Sequence, residues 1–302
     1  MAARARRLTR RGLLGGGLVG AAAALAGCGG RTSGAGDPSG TSGGPDASSS
    51  PPARARRTPY GDDPSQFVDL RRPADGTEVL GTVVLLHGGY WLPSYGLDQL
   101  DPMADRLTGE GWVTANVEYR RTGQGGGVPA TLEDVAAAVD ALADQDVPLD
   151  RVVAVGHSAG GHLAVWLASR TASTPGGAPA VPLSGAISLS GVLDLTTAAT
   201  AAGSSAPVTA FVGGTPQQRP EAYRQSDPTL LVPAACPVWA VHAEDDQVVP
   251  LSQSTAYVAA DRAAGGRARR VLVPGDHFSI IDVGADSFST VERLLGAAPR
   301  LR

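Results

Sequence analysis

Gly156-His157-Ser158-Ala159-Gly160-Gly161 lies between a β-branched run at 151–155 and an Ala/Leu-rich run of helical period at 158–169. A strand that turns straight into a helix leaves no room beside the turn, so its flanking residues must be small. The same turn lifts its middle side chain clear of the backbone, above the carboxyl ends of the strands. In a chain with 40 Gly the five-residue spacing alone carries little weight, and its force comes from the strand before it and the helix after it. Ser158 is therefore a candidate nucleophile.

A serine hydroxyl is a poor nucleophile near neutrality and needs an imidazole to take its proton. Five histidines are available. His157 sits inside the turn, His162 on the helix that follows, His87 in a glycine turn, and His242 at the end of an apolar strand. His277, in Val273-Pro274-Gly275-Asp276-His277-Phe278, follows the last strand and is the candidate base. An acid that orients it should come from the preceding loop, His242-Ala243-Glu244-Asp245-Asp246-Gln247, where three carboxylates compete. Asp246 is taken as the acid, with Asp245 next. For the oxyanion, the turn His87-Gly88-Gly89-Tyr90-Trp91 offers the N–H groups of Gly89 and Tyr90, and Ala159 offers a third.

Around these residues the chain alternates short apolar runs with longer periodic ones, which predicts a mostly parallel sheet with helices on both faces. Strands are expected at 67–71, 82–87, 113–119, 151–155, 185–189, 238–242 and 268–273. Helices are expected at 131–142, 158–169, 252–264 and 286–295, the first with Thr131 as N-cap and Asp134 three residues later. Residues 192–235 have no clear period and contain five Pro, which predicts a small lid or pocket wall. Cys236, just ahead of an apolar run, reads as a small core residue.

With these parts in this order, residues 59–302 resemble the α/β-hydrolase superfamily. Within it, His87-Gly88-Gly89-Tyr90-Trp91, Tyr60-Gly61-Asp62-Asp63-Pro64-Ser65-Gln66 leading to Asp69-Leu70, Ser190-Gly191-Val192-Leu193-Asp194-Leu195, and Asp276-His277-Phe278-Ser279-Ile280-Ile281 are similar to kynurenine formamidase relatives. The same features resemble acetyl and feruloyl esterases acting on carbohydrates. His242-Ala243 stands where those relatives usually carry His-Gly. The resemblance implies a serine hydrolase acting on an ester or amide of a small molecule, without metal or cofactor. An exoaminopeptidase- or dipeptidyl-peptidase-like serine peptidase and a lipoprotein that uses the fold only for binding are the other readings.

Residues 1–27 read as an export signal, with Arg4, Arg6, Arg7, Arg10 and Arg11 ahead of an apolar run at 12–26 that is too short to span a bilayer. Thr9-Arg10-Arg11-Gly12-Leu13-Leu14 resembles a twin-arginine signal, and Leu25-Ala26-Gly27-Cys28 resembles a lipoprotein lipobox. Cys28 would then carry acyl chains that hold the protein to the outer face of the cell membrane through that lipid anchor only, the alternative being a secreted protein. Residues 28–58 read as a Gly/Ser/Pro spacer, with an expected reach of about 30 Å. All 25 basic residues are Arg, which excludes Schiff-base and Ser-Lys chemistry. Losing the five Arg before Cys28 leaves 20 basic against 29 acidic residues, a net −9 that argues against nucleic-acid binding. An ester is preferred to a formamide of tryptophan breakdown, because export removes the protein from cytoplasmic metabolism.

Overall fold

The computed structural model describes residues 54–301. The expected signal, Cys28 and most of the expected spacer lie outside them. Eight strands form one sheet: β1 (Arg56–Pro59), β2 (Phe67–Arg71), β3 (Gly81–Leu86), β4 (Trp112–Val117), β5 (Val152–His157), β6 (Gly185–Leu189), β7 (Val238–Ala243) and β8 (Arg269–Val273). Their spatial order is β1-β2-β4-β3-β5-β6-β7-β8. From β4 to β8 every pairing is parallel, while β1 and β2 run antiparallel at one edge. The helices are α1 (Asp101–Gly109), α2 (Ala130–Asp140), α3 (Ala159–Ala168), α4 (Leu195–Ala198), α5 (Ser205–Val212), α6 (Pro220–Ser226), α7 (Ser252–Ala263) and α8 (Phe288–Ala297). This is the α/β-hydrolase fold that the sequence predicts.

The period of two along each strand sorts the core into two faces. Val83 and Leu85 of β3 and Val153 and Val155 of β5 pack with Met103 and Leu107 of α1 and Val291 and Leu295 of α8. Val84, Leu86, Val152 and Ala154 point the other way, against Leu132 and Val135 of α2 and Leu163 and Trp166 of α3. Burial on both sides explains why these strands read as continuous apolar runs. Cys236 is buried with Tyr257 and Val258 of α7, a core position as expected, and burial pushes its thiol up to about 12.

Two expectations need correction. The spacer was expected to reach residue 58, but β1 begins at Arg56 and pairs with β2. Arg-Arg-Thr-Pro shows no apolar alternation because β1 is an exposed edge strand. It is held by backbone pairing, by the Arg57 fork on Asp69 at 2.9 and 2.8 Å, and by that guanidinium lying 3.7 Å from the Phe67 ring centre. The second correction concerns α2, which starts after Pro129 with no side-chain cap. Thr131 instead lies within its first turn and donates to the Arg120 carbonyl at 2.6 Å. The buried Asp134 carboxylate binds the Arg120 guanidinium and the Gln66 amide. The Thr-x-x-Asp pair thus staples the loop before α2 to β2's approach rather than capping the helix.

Residues 192–235 hold three short helices, α4 to α6. Phe211 of α5 stacks on Trp91, with ring centres 4.2 Å apart, and so ties this segment to the glycine turn after β3.

Candidate active site

Ser158 stands between β5 and α3 at φ 54 and ψ −115, outside the comfortable regions for a residue with a side chain. Its N–H bonds Leu189 O at 2.9 Å, and its carbonyl accepts from His162 N–H and Val192 N–H, which fixes the strained turn. The flanking glycines have a steric cause: a Cβ on Gly156 would lie 2.0 Å from Gly160 O, and one on Gly160 would lie 1.9 Å from Leu86 O. Neither glycine position has room for a side chain.

The turn after β3 reaches this serine. A Cβ on Gly88 would meet His157 Nδ1 at 2.9 Å and Ser158 Cβ at 3.1 Å. Gly89, Tyr90 and Trp91 then run at φ 103, 53 and 55. Among the hydrogen bonds of the described residues none uses the N–H of Gly89, Tyr90 or Ala159, the three expected oxyanion donors. Ala159 is the first residue of α3, where the N–H and the helix dipole both favour a negative oxygen.

The structure brings Asp246 and His277 together. His277 Nδ1 donates to Asp246 Oδ2 at 2.7 Å, and both side chains are almost fully buried. Burial would raise the Asp246 carboxyl, but the bonds from His277, from Val249 N–H and from Ser190 outweigh it and hold the group at about 2. Val248 and Val249 N–H reach its other oxygen at 2.9 and 2.8 Å. The competing Asp245 is exposed, and its N–H merely ties the loop to Gly275 O at 3.0 Å.

His277 is seated at the elbow through His157. The His157 Nε2–H donates to the His277 carbonyl at 2.8 Å, and the two rings lie 4.6 Å apart. Three supports were missed in the sequence: His157 in this role, Ser190, whose Oγ accepts Ala243 N–H at 3.3 Å where the Asp246 loop leaves β7, and Gln99, whose Oε1 accepts Gly88 N–H at 2.7 Å. Ser190 carried one signal, its place right after β6, where it takes φ 49. Glu118 braces the glycine turn by meeting His87 at 3.1 Å, Arg121 at 2.6 Å and Leu97 N–H at 3.1 Å. Of the remaining histidines, His242 is bonded to Ser254 and Val249, and His162 to Ser226. Among the described residues no cluster of three or more His, Cys, Asp or Glu is arranged to hold a metal ion.

Residues 68–260 match BD-FAE. The chain belongs to the BD-FAE family. That match runs from β2 into α7 and takes in Ser158 and Asp246 but stops before His277. Beyond the BD-FAE match, the chain is 30% identical over 224 residues to Esterase LipC of Mycobacterium tuberculosis (strain ATCC 25618 / H37Rv), covering 69% of this chain and 55% of LipC. It thus spans about half the length of that relative. Kynurenine formamidase of Danio rerio is 26% identical over 245 residues, covering 78% of this chain and 79% of its own. Among solved structures, Esterase B from Lactobacillus Rhamnosis (HN001) superposes with a TM-score of 0.69 at 19% identity, over 82% of this chain and 85% of that one. The last comparison shows a shared fold.

Acid should unfold this BD-FAE domain through its buried imidazoles. Burial, with His277 alongside, takes His157 down to about 3, and burial takes His162 down to about 4. In the unfolded chain a histidine binds its proton near pH ~6.5. Below that pH the unfolded state holds more protons than the folded one, so stability falls as pH drops from about 6.5 toward 4 and, for His157, on toward 3. The slope is about 1.4 kcal/mol per pH unit for each such histidine. Urea unfolding between pH 7.5 and 4.5 should show this decline, and His162→Gln should remove roughly one histidine's share of it. An unchanged acid slope in that variant would contradict the assignment.

Proposed function

We propose that the protein is an exported serine hydrolase that cleaves carboxylic esters of small molecules through a Ser158-His277-Asp246 triad. The observation that carries this reading is the 2.7 Å bond from His277 Nδ1–H to Asp246 beside the strained Ser158 elbow. A carboxylate held at about 2 stays charged throughout the neutral range, so it keeps the proton on Nδ1 and leaves Nε2 free to accept one. His277 takes the proton from Ser158 as its oxygen attacks the ester carbonyl. The N–H groups of Ala159 and of Gly89 and Tyr90 hold the oxyanion, and His277 returns the proton to the departing alcohol oxygen. Water then attacks the acyl-serine by the same route and releases the acid.

The esterase name of the LipC relative supports ester over amide, and the formamidase relative supports a second reading, hydrolysis of an aryl formamide. Aryl acetates, N-formyl anilides and dipeptide anilides separate these. The expected order puts kcat/KM for the ester about 100-fold or more above the formanilide, with the dipeptide anilide inert. A formanilide that turned over faster than the ester would reverse the assignment.

The same proposal has the protein held at the outer face of the cell membrane through acylated Cys28, on the strength of Leu25-Ala26-Gly27-Cys28. Cys28→Ser is expected to move the protein from the membrane fraction to the soluble one. An unchanged distribution would remove the anchor.

A further inference from the structure

Beside the elbow lies a cavity of about 150 Å³ bounded by Tyr90, Val192, Ala198, Ala201 and Val248. Val192 N–H bonds the Ser158 carbonyl, and Val248 N–H bonds the Asp246 carboxylate, so the cavity touches both the nucleophile's turn and the acid's loop. We propose that this cavity receives the acyl group of the ester and limits the enzyme to short, uncharged acyl chains of up to about six carbons, an inference that rests on the esterase reading above.

Three observations carry it. The first is size, since a cavity of roughly 150 Å³ holds one benzene-sized group of six heavy atoms, whereas drug-sized ligands need about 300 Å³ or more. A hydroxycinnamoyl group exceeds that space.

The second is chemistry. No charged residue lines the cavity, and three of its polar side chains are engaged by neighbouring groups. Ser204 Oγ donates to Ala198 O at 2.8 Å, Thr197 Oγ1 to Asp194 at 2.7 Å, and Gln253 Oε1 accepts Asp194 N–H at 2.8 Å. A carboxylate there would lose its water without meeting a basic side chain.

The third is direction. The departing alcohol oxygen must face His277 to receive its proton. The residue beside that imidazole, Phe278, is 61% exposed, so the alcohol projects toward solvent. The cavity touches neither His277 nor Phe278, which leaves it to the acyl side. A wider hollow of about 510 Å³ near Arg72, Val79 and Val113 lies at the opposite end of the strands, away from Ser158.

The test is kcat/KM of the full-length protein for p-nitrophenyl acetate, butyrate, hexanoate, decanoate and ferulate. The wild type should fall at least tenfold between hexanoate and decanoate and should be at least as slow on the ferulate. Ala201→Phe fills the cavity and should lower the hexanoate-to-acetate ratio by about tenfold or more. Val248→Ala enlarges it and should raise the decanoate-to-acetate ratio, so the two variants move in opposite directions. A wild type that handles decanoate or ferulate as well as acetate, or ratios that neither variant changes, would overturn the acyl assignment while leaving the esterase reading intact. A wild type inert toward every ester would instead sink that reading, and this inference with it.

Discussion

Ser158→Ala is expected to lower kcat/KM for an aryl acetate by about 10⁴ to 10⁶ while the protein stays folded, because loss of the nucleophile leaves only oxyanion stabilisation and binding. The fold should tolerate the change. The turn is held by backbone bonds from Ser158 N–H to Leu189 O and to the Ser158 carbonyl from His162 and Val192, none of which uses the hydroxyl. Thermal unfolding of the variant should lie within a few degrees of wild type, in keeping with a change of about 1 kcal/mol. A folded variant with more than a tenth of wild-type turnover would remove Ser158 from the mechanism.

Asp246→Asn is expected to lower kcat by about 10⁴, with KM changed little. Asp246 reaches His277 through the oxygen that faces Nδ1, while its other oxygen is taken by Val248 and Val249 N–H. An Asn that keeps its oxygen on those two N–H groups presents its amide NH₂ to the imidazole. That donor selects the wrong tautomer, with the proton on Nε2, where it cannot accept from serine. Asp245→Asn should stay within about threefold of wild type, since that side chain is exposed and away from the imidazole. Equal losses in the two variants would mean that the loop, rather than the Asp246 carboxylate, matters.

How legible each part was in the sequence follows from how local its cause is. The elbow reads directly because Gly156 and Gly160 answer to contacts within a few residues and with the neighbouring strand end at Leu86. The buried strands read directly because a strand covered on both faces must be apolar throughout. His277 and Asp246 followed from chain order, and the structure supplies their 2.7 Å contact. By contrast, β1 was invisible because backbone pairing, not side-chain pattern, holds it. Thr131 and Asp134 carried a capping spacing, yet their partners lie in the loop at Arg120 and at Gln66, which no local pattern encodes. His157 looked idle in the turn because its partner, the His277 carbonyl, is 120 residues away. Gln99 was overlooked for the same reason, since its bond to Gly88 N–H exists only once α1's approach is packed beside β3.

The most direct measurement is peptide mass mapping after treatment with a fluorophosphonate, which traps only a serine activated by a neighbouring base. The expected result is one phosphonyl adduct on the peptide containing Ser158, absent in Ser158→Ala and strongly slowed in His277→Ala. An unmodified Ser158 peptide in a natively folded sample, or an adduct on another serine, would contradict it.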